Sequence, residues 1–284
     1  MKNLWILILV IALIGCNQNT KEENKTTEST DNKLEKIPVE PDNGIGDGAL
    51  SIEKHYIKSI EKAHKKEAFL NHKAVSFDVK IFFGGNEHLD GKITMLTNSS
   101  KIRIDKKDNS SLIYNGKQVF LQPADANDKR ARFDMFTWTY FFGFPYKLSD
   151  PGTKWEMQED RSLDNKTHST AKLSFDAGIG DAPDDWYVIY TDPKENSLQA
   201  AAYIVTYGSE GDTSKAEADP HAIRYRDFVV VDGIPFATKW DFYGWTQEKG
   251  MSDTKIGEAM VSNIRFLEDV ETLFNTSEDL KVIE

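Results

Sequence analysis

The side chains whose types and spacing could do chemistry are mostly acidic. Asp176, Asp181, Asp184 and Asp185 surround Gly178 and Gly180, and Asp42-Asn43-Gly44-Ile45-Gly46-Asp47 repeats the pattern in shorter form. Oxygen ligands on turn glycines are what a calcium loop supplies. Neither stretch has the full EF-hand spacing, so a solvated turn before a strand at Trp186 is the reading we adopt, with calcium as the alternative. The histidines are scattered at 55, 64, 72, 88, 168 and 221. His55, His64 and His72 fall on or just beyond a polar helix, which predicts a solvated face rather than a metal site. No His-Glu-x-x-His, Gly-x-Ser-x-Gly or phosphate-binding Gly-Lys-Ser/Thr element occurs. We therefore expect no enzyme and no cofactor; a hydrolase without a recognisable motif is the alternative. Any catalytic carboxylate pair would come together only in space, so none is assigned.

The one cysteine, Cys16, is placed where chemistry of another kind happens. Lys2 gives a positive start, the apolar run from Leu4 to Ile14 is too short to span a bilayer, and Leu13-Ile14-Gly15-Cys16 ends it. This segment resembles the lipobox of bacterial lipoproteins, in which a diacylglycerol is attached to the cysteine thiol and the peptide is cut just before it. The resemblance implies a signal peptide over 1–15 and a membrane contact made through N-terminal lipid on Cys16. Lipidation would remove the only thiol, and with it disulfides, thiolate catalysis and Cys-ligated metal. The resemblance also implies a lipid-anchored protein of the cell envelope. The outer membrane is its expected location, at the periplasmic face or the cell surface. Lys21-Glu22-Glu23 resembles the surface-export signals of Bacteroidota lipoproteins.

Composition supports the remaining divisions. A net charge of -11 disfavours nucleic acid, whose phosphates need clustered Lys and Arg, and disfavours docking on anionic headgroups. Residues 16–48, rich in Asn, Thr, Glu and Lys with Pro38 and Pro41, cannot bury enough surface to order themselves and read as a tether. Residues 49–284 then form one domain.

Within that domain Ser51 can cap an amphipathic helix carrying Ile52, Tyr56, Ile57, Ile60 and Ala63 on one side and ending near His72. From Ala74 the period becomes two, with Val75, Phe77, Val79, Ile81 and Phe83 alternating with polar residues. Further runs to residue 267 imply roughly a dozen strands. Asn115-Gly116 and Asp232-Gly233 are two-residue hairpin signals. The absence of β-strand, helix, β-strand alternation argues against a parallel nucleotide-binding sheet. Phe133, Met135, Phe136, Trp138, Tyr140, Phe141, Phe142, Phe144 and Tyr146 crowd before Asp150-Pro151-Gly152 in a stretch too apolar all round for a wet surface. These elements predict a mainly β, α+β protein. Its strongly curved antiparallel half-barrel wraps around an N-terminal amphipathic helix and an internal aromatic helical plug.

That order of elements resembles the LolA/LolB-like lipoprotein carrier fold, over about residues 50–268. The points of contact are Tyr114-Asn115-Gly116-Lys117, the run from Phe144 to Gly152, and Val231-Asp232-Gly233-Ile234-Pro235-Phe236. The run Pro145 to Gly152, with Trp186 to Lys194, also resembles a family of uncharacterised Bacteroidota lipoproteins. The carrier resemblance implies an apolar cavity for acyl chains, with candidate lining Phe77, Val79, Phe136, Trp138, Phe142, Phe236, Trp240 and Phe242. No arginine can be assigned from the sequence as the cavity gate that carriers use. Two readings stay open: a membrane-anchored protein binding a lipid or acyl chain in the concave face, and a structural or interaction module. The module would have these side chains filling the core and rim loops 208–221 and 246–255 meeting an envelope partner.

Overall fold

A computed structural model describes residues 50–276 and 280–283. The expected signal peptide 1–15, Cys16, the tether 16–48 and the acidic stretch from Asp42 to Asp47 lie outside the described residues. Ser51 caps α1 (Ile52–Ala63), its side chain accepting from Lys54 N at 3.3 Å, and Ile57 and Ile60 face inward. The helix does not run on to His72 as its periodicity predicts. Nε2 of His64 accepts from Leu198 N at 2.9 Å, and this draws a ring expected on a solvated face into the interior, where it is only 2% exposed. Lys65 takes a φ of +59°, and a second short helix, α2 (Lys66–Asn71), restarts beyond it.

The period-two segment becomes β1 (Ala74–Phe83), and Gly84 and Gly85, both with positive φ, turn it into β2 (Asn86–Leu96). Short hairpins continue through β3 (Ile102–Lys106), β4 (Ser111–Tyr114) and β5 (Val119–Gln122). The aromatic stretch forms α3 (Ala131–Gly143) and a 3-10 turn at Phe144–Tyr146. A second run of hairpins follows in β6 (Thr153–Leu163), β7 (Lys166–Phe175), β8 (Tyr187–Thr191) and β9 (Leu198–Tyr203). After the short α4 (Ser214–Ala218) come β10 (His221–Val231), β11 (Ile234–Thr246), β12 (Gly250–Leu267) and β13 (Lys281–Ile283).

All thirteen strands join one antiparallel sheet in the order β13-β5-β4-β3-β2-β1-β12-β11-β10-β9-β8-β7-β6. The long β12 links the two runs by pairing β1 on one side and β11 on the other. Residues 250–255, expected within a rim loop, belong to β12, so that connection is a tight turn after Thr246.

The sheet curves around α1 and α3, and α3 divides the interior. Its Met135, Trp138 and Phe142 recur at helical spacing and pack into the core, where Phe142 stacks on Phe77 at 3.8 Å and on Phe236 at 5.4 Å. Asp134 on the same helix is fully buried yet satisfied. It accepts from Trp138 Nε1 at 2.9 Å and Lys106 Nζ at 3.0 Å, with His88 Nε2 at 3.3 Å. Burial opposes its charge, but the His88 and Trp138 hydrogen bonds and the Lys106 ammonium outweigh it and hold the carboxyl below its ordinary value. Among the described residues no helix is long and apolar enough to cross a membrane.

Candidate functional site

The other side of α3 faces open space. Phe133, Phe136, Thr137 and Tyr140 border a cavity of about 620 Å³. These residues recur at the same helical spacing as the core set but are offset from it. This is why the helix is apolar all round: one side packs and the other lines a hollow. The opposite wall comes from Phe175 at the end of β7, Tyr187 in β8, and Tyr203 and Ile204 at the end of β9. Ile102 and Tyr114 close the side nearest β3 and β4.

Burial distinguishes floor from rim. Ile102, Phe141, Tyr187, Tyr203 and Ile204 are buried, whereas Lys117, Pro151, Ile179, Val205 and Tyr207 are exposed. The segment Pro145 to Gly152 shapes part of that rim. Lys147 Nζ pairs with Asp150 at 2.6 Å, and Gly152, with a φ of +87°, lets Ile179 lie directly over it. A Cβ at that glycine would fall 2.5 Å from Ile179 Cγ1, so a bare backbone is needed to seat the 176–185 loop. Arg132 fastens the same loop from α3, its Nε donating to Asp181 Oδ1 at 2.8 Å while the guanidinium lies 5.3 Å from the Phe136 ring centre.

The acidic residues considered for calcium are thus dispersed among other partners. Asp176 pairs with Lys154 at 2.7 Å, Asp181 with Arg132, and Asp185 accepts from Thr206 N and Oγ1 at 2.7 and 2.8 Å. Among the described residues no group of three or more His, Cys, Asp or Glu side chains could hold a metal ion.

Of the side chains expected from sequence to line a cavity, Phe136 borders the large one. Phe142, Phe236 and Trp240 border a void of about 20 Å³, room for about one water. Phe77, Val79, Trp138 and Phe242 lie in the packed core.

The cavity is apolar in its walls but not throughout. The rings of Tyr140 and Tyr187 lie 5.4 Å apart and those of Tyr187 and Tyr203 6.3 Å apart. None of the three hydroxyls has a hydrogen-bond partner among the described residues, and none is sealed from accessible space as an orphaned buried atom would be. Burial pushes all three phenols well up, and the Asp185 carboxylate nearby adds to the effect on each. Burial likewise pushes the Asp185 carboxyl up to about 6, against the two Thr206 hydrogen bonds that favour its charge. Sequence reading singled out Tyr140 only as one of the plug aromatics and Asp185 only as a possible calcium ligand, and it assigned no role to Tyr187, Tyr203 or Arg132. A visible signal was tyrosine, rather than phenylalanine, at the inward positions 187 and 203, since a buried phenol needs somewhere for its hydroxyl to go.

Comparison with known proteins agrees with this architecture. A LolA superfamily protein from Nitrosomonas europaea superposes with a TM-score of 0.52 at 10% identity, over 80% of this chain and 99% of that one. A domain assigned to outer membrane lipoprotein sorting from Vibrio parahaemolyticus gives a TM-score of 0.48 at 12% identity, over 78% and 97% of the two chains. At such identities the likeness is one of fold, and the first superposition carries it: the protein has a LolA-like fold. No curated protein matches the sequence. A family of unknown function, DUF6503, matches residues 86–238, more than half of the 284-residue chain, and the chain belongs to that family.

Proposed function

We propose that the protein is a lipid-anchored envelope lipoprotein that holds an apolar ligand, a lipid or acyl chain, in the hollow between α3 and the β7–β9 wall. The observation that carries this is the 620 Å³ cavity walled by aromatic side chains. Small-molecule sites are clefts of about 300–1,000 Å³ lined mainly by hydrophobic and aromatic side chains, and this one falls within that range. At about 30 Å³ per water- or methylene-sized unit the space holds about 20 such units, the scale of one long acyl chain. Burying each methylene contributes about 0.8 kcal/mol, so ten of them give about 8 kcal/mol, a micromolar Kd. The lipobox at Cys16 supports the anchor, which would keep the binding domain at an envelope membrane.

The test is titration of the protein with a neutral environment-sensitive apolar dye, wild type against Thr137→Trp. Thr137 borders the cavity on α3, and an indole there occupies ligand space without removing core. Displacing four methylenes' worth of contact costs about 3 kcal/mol, about 200-fold in Kd. Micromolar dye binding that the variant abolishes supports the proposal; equal binding by both proteins, or none by the wild type, contradicts it.

A further inference from the structure

A hollow meant only for hydrocarbon would be walled by hydrocarbon. This one has three phenol hydroxyls and a carboxylate in its walls, two of the phenols on its buried floor. Tyr187 and Tyr203 sit on the sheet and Tyr140 faces them from α3, all on the same cavity, with ring centres 5.4 to 6.3 Å apart between neighbours. Their hydroxyls are without partners among the described residues. Asp185 borders the same space. Both Thr206 hydrogen bonds fall on its Oδ1, which leaves Oδ2 without a partner among the described residues. Open to the cavity, these groups are hydrated when no ligand is present, and a ligand that displaces that water must replace its hydrogen bonds. The tyrosine hydroxyls can donate or accept, but Asp185 when ionised can only accept. What they jointly ask for is a donor, and what they reject is another anion.

Resting on the apolar-ligand reading above, we infer that the cavity selects an amphiphile by its buried polar end. That end is a hydrogen-bond-donating, non-anionic head, a hydroxyl or an amine, seated among Tyr140, Tyr187, Tyr203 and Asp185. The rim gives an acidic head little compensation. Arg132 is held by Asp181 and Lys147 by Asp150, which leaves Lys117 as the rim cation with no acidic partner among the described residues.

The probes are three sixteen-carbon molecules of matched chain, a primary alcohol, a primary amine and a carboxylate, competed against the same apolar dye on the wild-type protein. The alcohol or the amine should bind at least tenfold more tightly than the carboxylate, and whichever is tighter identifies the donor. Asp185→Asn should raise carboxylate affinity at least fivefold and leave the alcohol within about threefold. Tyr187→Phe combined with Tyr203→Phe should weaken the alcohol or amine at least fivefold. Neither hydroxyl has a protein partner to lose, so an unchanged melting temperature checks that the fold is intact. If all three probes bind equally, or the carboxylate binds best, the head-group inference fails while the apolar-ligand reading stands. If none of them displaces bound dye, the head-group inference fails while dye binding still supports the cavity. If neither dye nor probe binds, both fail.

Discussion

Two phenylalanines six residues apart on α3 should respond in opposite ways to the same truncation. Phe142 is 5% exposed and stacks between Phe77 at 3.8 Å and Phe236 at 5.4 Å. Phe142→Ala removes that packing and leaves a void next to one already present, so the cost belongs in the upper half of the usual range for such a change, about 4 kcal/mol. For a domain of this size that lowers Tm by about 8 to 16 °C. Phe136 is half-buried on the cavity side, with an edge-on contact to Tyr114 at 5.2 Å and the Arg132 guanidinium at 5.3 Å. Phe136→Ala forfeits about 1 to 2 kcal/mol of stability, the sum of one aromatic pair, one cation–π contact and modest burial. Because the same side chain faces the ligand, it should also lower dye affinity about tenfold. Thermal melts and dye titration on both variants, at a temperature where both are folded, give four numbers. The division of α3 into a packed and a lining side is refuted if Phe136→Ala is as destabilising as Phe142→Ala and leaves affinity untouched.

The pH dependence offers two tests of opposite sign. His64 is buried, uses Nε2 as an acceptor and leaves Nδ1 without a partner, and burial lowers its pKa from 6.5 to about 4. The unfolded chain therefore binds the proton first, and the fold loses about 3 kcal/mol as pH falls from 6.5 to 4. His64→Gln should lack that loss in urea melts across the range; an identical slope in both proteins would contradict it. Asp185 runs the other way, its folded pKa raised from 3.8 to about 6, so its contribution is present at low pH and lost as pH rises through 6. Asp185→Asn should be about 1 to 3 kcal/mol more stable than wild type at pH 8 and within about 0.5 kcal/mol of it at pH 3.5, and equal stability at both would sink the assignment.

Much of the architecture was legible because its signals are local. Alternation from Val75 to Phe83, and positive-φ turns at Gly116 and Gly233, declare hairpins wherever the rest of the chain lies. The crowding from Phe133 to Tyr146 likewise announced a buried helix. The break after α1 was hidden because it falls at Lys65, a non-glycine residue in the left-handed region, and the burial of His64 beside it involves a hydrogen bond from Leu198, far along the chain, to a ring that looks solvated in its own helix. The cavity was hidden for a related reason. Periodicity records which sides of an element avoid water, and a packed neighbour and a hollow satisfy that equally. So Phe142, Phe236 and Trp240 could be named as inward-facing, but their meeting around a void of about one water, with Phe142 stacked on Phe236, while Phe136, Tyr140 and Tyr187 border the large cavity depends on the tertiary arrangement.

The most direct test is native mass spectrometry with extraction and identification of bound lipid, on the full-length protein purified without detergent exchange from its own envelope. The account predicts a discrete added mass of single-chain lipid size, beyond any lipid on Cys16, that is lost from Thr137→Trp. A wild-type protein of full thermal stability that carries no such mass, and acquires none when offered envelope lipid extract, would contradict it.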